Sequence, residues 1–122
     1  MNDLLTTRFF HTSDKRVETV VFPLPPHWWS RFYEYAWAAK FCKETDIVLD
    51  AACGIPHPFK FYLAEKCKEV HAVDSDLSIA DADEIDRQMK SVLGHSIQEI
   101  GPNAERVIFK YANITDMPYN DC

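Results

Sequence analysis

The chain has 122 residues, of which 47% are hydrophobic, and it carries a formal net charge of −6. This length suits one domain, and this apolar share can build a core, which excludes wholesale disorder. The acidic balance opposes non-specific binding to phosphate backbones, so the sequence offers no evidence for a nucleic-acid partner. The apolar runs fall short of the roughly 20 residues that span a membrane, and the N-terminus lacks a signal-peptide pattern, so we expect a cytoplasmic protein with no membrane partner.

Residues 1–27 predict an N-terminal arm or hairpin, because the segment 17–22 is rich in β-forming residues and a proline-rich stretch follows it. The main domain is predicted over residues 28–122. It begins with a helix that we expect to start at Ser30, as the N-cap, and to end near residue 42, since apolar residues recur there at helical spacing.

The centre of the chain alternates between apolar strands and periodic helices. The predicted order is strand 46–51, helix 58–67, strand 69–73, helix 77–93 and strand 106–111. Short connections in this alternation imply a parallel sheet with right-handed crossovers and the strand order 3-2-1. The predicted fold class is therefore α/β, a Rossmann-like three-layer half-domain with helices flanking the sheet.

Two carboxylates and a glycine lie where the predicted strands end. The first strand runs through Asp50 toward Gly54, and the second strand ends in Asp74, which follows Gly54 by 20 residues. The carboxyl ends of parallel strands form the ligand-binding edge of such sheets, and an acid at this spacing binds ribose hydroxyls. The candidate site is therefore formed by the loops 50–58, 74–78 and 112–119.

The motifs at this edge resemble those of class I S-adenosylmethionine-dependent methyltransferases, whose first strand ends in D-x-G-x-G-x-G. The chain reads D-A-A-C-G-I-P at residues 50–56, has an acid at Asp74, and reads A-N-I-T-D-M-P-Y at residues 112–119 after the third strand. Upstream, residues 30–37 are similar to an S-R-P-x-E-Y-P-W stretch in some members of the family. The resemblance covers about residues 28–121 and corresponds to the N-terminal, cofactor-binding half of these enzymes.

The resemblance implies that the chain binds S-adenosylmethionine, with S-adenosylhomocysteine as the product and an unknown methyl acceptor. Asp74 would hold the ribose diol, Asn113 would face the adenine amino group, and Ile114 would meet the adenine ring through its backbone N–H. Arg31 would lie near the methionine end of the cofactor. No catalytic residue is implied, and the cofactor-binding residues are Arg31, Asp50, Ala52, Cys53, Gly54, Asp74, Ser75, Asn113 and Ile114.

The glycine turn departs from the family pattern at two positions. Ala52 replaces the first glycine, which is a mild change as long as its φ stays negative. Pro56 replaces the third glycine, and since proline lacks a backbone donor and has a fixed φ, the turn must be shaped differently from that of the family. After the third strand, Asn113 keeps an acceptor oxygen without a negative charge.

The four cysteines of the chain have no metal-like spacing, so no metal site is predicted, and we expect reduced thiols. Cys53 is the one that lies in the glycine turn. A thiol at a helix N-terminus can have a lowered pKa, but we interpret Cys53 as a small space-filling residue rather than a nucleophile.

The chain ends where the fourth strand of the family begins, so we expect a domain truncated before strand four. Strand one would then be an open apolar edge, and such edges are not left bare in a soluble protein. We therefore expect a homo-oligomer formed through this edge, with methyl transfer either completed by a partner chain or lost. Two alternatives stay open: a non-catalytic Rossmann-like interaction module, and a nicotinamide or flavin dinucleotide-binding half-domain, for which only Gly54 of the G-x-G-x-x-G pattern is present.

Overall fold

The computed structural model describes residues 9–119. The first eight residues of the predicted arm and the last three residues, with Cys122, lie outside the described part. The described chain is a small α/β protein with a three-strand parallel sheet, consistent with a Rossmann-like half-fold. Its strands and α-helices are β1 (Thr19–Val20), β2 (Phe22–Pro23), α1 (Trp29–Ala39), β3 (Ile47–Ala51), α2 (Phe59–Lys66), β4 (Glu69–Asp74), α3 (Ala82–Leu93) and β5 (Val107–Tyr111).

The parallel sheet has β4 in the middle, with β3 on one side and β5 on the other. The register places Ala51 beside Val73, and Asp74 beside Tyr111. The three strands therefore end at nearly the same level, and the loops that follow them share one edge of the sheet. This edge is the one at which parallel α/β sheets bind ligands.

The main core lies on one face of the sheet. Val70 and Ala72 of β4 and Val107 of β5 point into it and pack with buried residues of α2 and α3, which include Phe61, Leu63, Ile85 and Met89. These apolar contacts are the main source of stability for a sheet of this kind, because burial of a large aliphatic or aromatic side chain contributes roughly 1.5–3 kcal/mol.

The opposite face of the sheet is open along its two outer strands, whereas Val73 of the central strand is fully buried. Strand residues alternate between the two faces, and the exposed fraction on this face is 64% for Ile47, 45% for Leu49 and 42% for Ile108. Residues 9–119 thus form two of the three layers that the sequence predicts, a sheet and the helices on one of its faces.

The N-terminal arm packs into the domain. Strands β1 and β2 form a small antiparallel pair, and Phe22 joins the main core and stacks on His95 with ring centroids 4.4 Å apart. A second apolar cluster unites Val20 and Leu24 of the arm with Phe32, Tyr33 and Tyr35 of α1. The arm therefore fixes the position of α1 beside the sheet.

Two helix boundaries differ from the prediction. Helix α1 begins at Trp29 and ends at Ala39, so the predicted N-cap Ser30 lies inside the helix, and Trp28 precedes it without a side-chain cap. The predicted helix 77–93 is divided at Asp81 into a short 3-10 helix, Leu77–Ala80, and α3. Asp81 divides it because its extended backbone is incompatible with a helix, and its carboxylate instead caps α3.

The segment between α3 and β5 contains two short 3-10 helices, Ile97–Ile100 and Pro102–Arg106. Across residues 9–119, none of the helices has the length and apolar character needed to span a membrane.

Candidate functional site at the carboxyl edge of the sheet

The carboxylate of Asp74 holds the glycine turn against the end of β4. Its Oδ2 accepts a hydrogen bond of 2.8 Å from the backbone N–H of Gly54, and its Oδ1 accepts one of 2.9 Å from the N–H of Asp76. The N–H of Cys53 adds a bond of 3.0 Å to the carbonyl of Val73. Asp74 therefore joins the loops that follow β3 and β4.

The backbone of the turn is left-handed at two positions. Gly54 has a φ of 71° and Ala52 a φ of 52°. The negative φ that would make Ala52 a mild replacement is therefore not what the turn adopts. A residue with a side chain costs about 1–2 kcal/mol in this conformation, so the turn carries local strain that its other contacts must offset.

Lys60 supplies such contacts, although the sequence analysis did not single it out. This first-turn residue of α2 is fully buried. Its Nζ donates hydrogen bonds to the carbonyls of Gly54 at 2.8 Å, Ile55 at 3.1 Å and His57 at 2.5 Å. The sequence carries no clear signal for this burial, because adjacent residues of a helix do not share a face, so the aromatic neighbours Phe59 and Phe61 do not indicate it.

Asp50 and Lys60 are opposite charges beneath the turn. Burial raises the pKa of the Asp50 carboxyl, while the positive charge of Lys60 acts in the opposite direction and the negative charge of Asp74 adds to the rise. Burial also lowers the pKa of Lys60, while Cys53, Asp50 and Asp74 act in the direction that raises it. Burial thus acts against the charge of Asp50 and the charge of Lys60, and the attraction between the two opposes this effect.

The ring of His57 covers Gly54. It stacks on Trp28 with centroids 4.6 Å apart and an interplanar angle of 14°, and a Cβ built on Gly54 would lie 2.2 Å from its Nδ1. This Nδ1 is buried and has no hydrogen-bond partner within residues 9–119. Burial, with the nearby Lys60 and Arg31 cations, lowers the pKa of His57 to about 4, so the imidazole is neutral at pH 7.

Cys53 is buried under the turn, and its pKa is raised to about 12, mainly by burial. A thiol in this state is not a nucleophile at neutral pH. The structure thus agrees with the interpretation of Cys53 as a space-filling residue. Among the described residues, Cys42, Cys53 and Cys67 are free thiols.

Arg31 and Ser75 lie at the margins of the site. Arg31, on α1, forms an ion pair of 2.8 Å with Glu34. Its positive charge also opposes the rise in the pKa of Asp50 that burial causes. Ser75 follows Asp74 directly and is exposed. Arg31 thus contributes a positive charge to the side of the site formed by Asp50 and His57.

The loop after β5 carries Asn113 and Ile114. The amide oxygen of Asn113 accepts bonds from the N–H of Thr115 at 2.9 Å and from its hydroxyl at 2.7 Å. Ile114 is 59% exposed, and Leu77, in the loop after β4, is 70% exposed. Two apolar side chains are therefore accessible to solvent in the loops at this edge of the sheet.

The fit of a ribose-bearing cofactor differs between the two ends of the site. At Asp74, each carboxylate oxygen accepts one backbone hydrogen bond and has a second lone pair for a ribose hydroxyl. Over Gly54, the ring of His57 fills the space that a close approach to the turn would need. The ribose end fits the residues present, whereas the glycine end fits only after His57 moves.

Comparison with known proteins does not identify a family, since no protein-family model, curated protein or solved structure matches the chain. Within the part of the chain that the structure describes, no group of three or more His, Cys, Asp or Glu side chains is arranged to hold a metal ion.

Proposed function

We propose that the chain is a methyltransferase-type domain that binds S-adenosylmethionine at the carboxyl edge of its sheet. The observation that supports this proposal best is the 2.8 Å hydrogen bond between Gly54 and Asp74. It joins the glycine turn to the acid that ends the central strand, which are the two elements that a nucleoside-binding α/β half-domain uses for its ligand.

In this proposal Asp74 accepts hydrogen bonds from the ribose hydroxyls through the lone pairs that its two backbone hydrogen bonds do not use. Leu77 and Ile114 offer exposed apolar surface to the adenine ring. Arg31 would supply the positive charge for the carboxylate of the methionine end. His57 has to rotate away from Gly54 before this end of the ligand can contact the turn.

S-adenosylmethionine would supply an activated methyl group on a sulfonium. Such a transfer needs the acceptor to be held in line and at close range, so orientation provides most of the catalysis. The chain's own contribution in this proposal is to bind and orient the cofactor, with Asp74 and Gly54 held together by the hydrogen bond between them. The methyl acceptor and any catalytic residue are not assigned.

Calorimetric titration with S-adenosylhomocysteine and, separately, with NAD tests this proposal. We expect binding of the first compound and none of the second. Asp74→Asn should weaken binding by about tenfold or more, since a lost charged hydrogen bond to a hydroxyl is worth roughly 1.5–3 kcal/mol. Asp76→Asn is the matched control, because the Asp76 side chain accepts a hydrogen bond from Ser78 in its own loop, and this substitution should leave affinity unchanged. Absence of binding to the wild-type chain would contradict the proposal.

The open face and edge of the sheet favour a second candidate function, a Rossmann-like interaction module whose partner is a second copy of the chain. Its exposed apolar residues are Ile47 and Leu49 of β3 and Ile108 of β5, with His71 of β4 between Leu49 and Ile108. Glu69 lies on this face near the start of β4, and Lys110 lies on it near the end of β5. A two-fold axis that runs between two such faces and perpendicular to their strands brings the acidic end of one copy toward the basic end of the other, which makes the surface self-complementary.

Sedimentation velocity distinguishes a dimer from a monomer at micromolar concentration. Leu49→Lys should dissociate the dimer, because it places a charge at the centre of the apolar surface. Val92→Lys is the control, since Val92 is similarly exposed, at 40%, but lies on α3. A wild-type chain that sediments as a monomer would contradict this candidate and leave cofactor binding to be judged by the titration.

A further inference from the structure

We propose that Lys60 is the positioning residue of the segment Gly54–His57, and that its ammonium group acts as an internal cation that holds this turn in the shape that brings Gly54 to Asp74. The expected effect of Lys60 on ligand affinity rests on the proposed function, whereas its expected effect on the turn does not.

The geometry around Lys60 is that of a cation held by main-chain carbonyls. An ammonium group has three protons, and the three acceptors at Nζ are the carbonyl oxygens of Gly54, Ile55 and His57. Every donor of the group is therefore used, in a side chain without solvent exposure. Removal of the ammonium would leave three buried carbonyl dipoles converging on one point without a donor, which is unfavourable.

Gly54 is held from both sides by this arrangement. Its N–H donates to Asp74, and its carbonyl accepts from Lys60. The peptide orientation at the most permissive residue of the turn is thus set by one anion and one cation that lie on different elements, β4 and α2. Glycine adopts positive and negative φ about equally readily, so the residue itself does not select this orientation, in which its φ is 71°.

Lys60 also binds the turn on both sides of Pro56. Proline has no N–H, so residue 56 contributes no backbone donor to the turn. The carbonyls of the residues on either side of it, Ile55 and His57, both accept hydrogen bonds from Lys60. The lysine thus supplies donors to a stretch of backbone that contains a residue without one.

The surrounding charges support a protonated lysine. Asp50 on β3 and Asp74 on β4 act on Lys60 in the direction that favours its charged form, against desolvation. Cys53, which also faces it, is a neutral thiol because burial raises its pKa to about 12. The neighbouring His57 is neutral at pH 7, so it adds no opposing charge at that pH.

The first test compares amide hydrogen exchange at Gly54 in the wild type, Lys60→Met and Lys66→Met. Methionine keeps most of the side-chain volume without the charge, and Lys66 is an exposed lysine of the same helix. We expect exchange at Gly54 to be about tenfold or more faster in Lys60→Met, beyond any change in global unfolding, and unchanged in Lys66→Met. Equal protection of Gly54 in all three proteins would overturn the proposal.

Chemical rescue separates the charge of Lys60 from its volume. In Lys60→Ala, added propylammonium should restore protection of the Gly54 amide, whereas 1-propanol, which has similar size and no charge, should not. Rescue by both compounds, or by neither in a folded variant, would contradict a role for the charge. If both substitutions prevent folding, the side-chain nitrogen of Lys60 is observed directly in the wild type by ¹⁵N NMR at pH 7. A slowly exchanging ammonium signal supports the proposal, and a neutral amine overturns it.

The ligand measurement follows from the same variants. If the wild type binds S-adenosylhomocysteine, Lys60→Met should bind it about tenfold or more weakly, and propylammonium should restore affinity to Lys60→Ala. If the wild type does not bind it, the proposed function fails while the exchange data still decide the role of Lys60. Equal affinity of the wild type and Lys60→Met would show that the turn does not depend on this cation for binding.

Discussion

The backbone N–H of Gly54 donates a 2.8 Å hydrogen bond to Oδ2 of Asp74, although 20 residues separate them. The spacing between a glycine turn and an acid, which is read in sequences as a ligand-binding pattern, thus has a direct structural consequence in this chain. Asp74 orders the turn as well as facing the candidate site. Substitution by asparagine keeps one of the two acceptor oxygens and so can preserve one of these backbone bonds, whereas substitution by alanine removes both.

Gly54→Ala should destabilise the protein for two separable reasons. The residue has a φ of 71°, and its new Cβ would lie 2.2 Å from Nδ1 of His57. We expect a loss of about 2–4 kcal/mol in the free energy of unfolding, measured by urea denaturation. Gly94→Ala is the control for the conformational part, because its φ is 74° and nothing lies within 4 Å of its Cβ, and it should lose only about 1 kcal/mol.

The steric part of that loss should disappear when His57 is removed. The double variant Gly54→Ala/His57→Ala is expected to be more stable than the sum of the two single changes predicts, since the alanine at 54 no longer meets a ring. Additive losses would show that the ring of His57 does not rest on Gly54.

Protonation of His57 should destabilise the fold in mild acid. Burial, assisted by Lys60 and Arg31, lowers its pKa from 6.5 to about 4. Between these two values the unfolded chain binds more protons than the folded chain, so stability falls as the pH falls from about 6.5 to about 4, and the loss is complete below that. His57→Phe keeps a ring against Trp28 but cannot titrate. We therefore expect the difference in unfolding free energy between the wild type and His57→Phe, measured by urea denaturation, to change between pH 6.5 and pH 4. A difference that does not depend on pH would show that another group is responsible.

The thiol of Cys53 should resist alkylation in the folded protein. It is buried and its pKa is raised to about 12. With iodoacetamide at pH 7.5, followed by peptide mass spectrometry, we expect Cys53 to react much more slowly than it does after denaturation. Rapid reaction of Cys53 in the native state would indicate that the turn opens or that the thiol is activated.

Asp81→Ala should cost about 1 kcal/mol of stability, with a range of roughly 0.5–2 kcal/mol. The Asp81 carboxylate accepts from the N–H groups of Asp83 at 3.1 Å and Glu84 at 3.2 Å at the start of α3. Asp83→Ala is the matched control, because it removes a negative charge from the same helix turn without removing the cap and should cost less. Thermal unfolding followed by circular dichroism measures both, and equal losses would argue against a capping role.

Local sequence patterns were sufficient for the strands and for the edge at which the site lies. The apolar runs of β3 and β5 and the acid at the end of β4 are local features, and their alternation with helices leads to a parallel sheet whose carboxyl ends meet. The proximity of Gly54 and Asp74 follows from that arrangement.

The break in the helix at Asp81 was not predicted. The periodic apolar stripe continues across this position, while a single capping carboxylate divides the segment.

The shape of the turn was decided by the tertiary structure. By itself, the sequence determined that a glycine and an acid would meet at one edge of a sheet, because strand periodicity and element order are encoded over short distances. It did not determine that Lys60 would be buried under the turn, that Ala52 would adopt a positive φ, or that His57 would cover Gly54. These features depend on where carbonyl groups and rings from separate segments converge once the core has packed, and a lysine is buried only when that convergence supplies an acceptor for each of its protons.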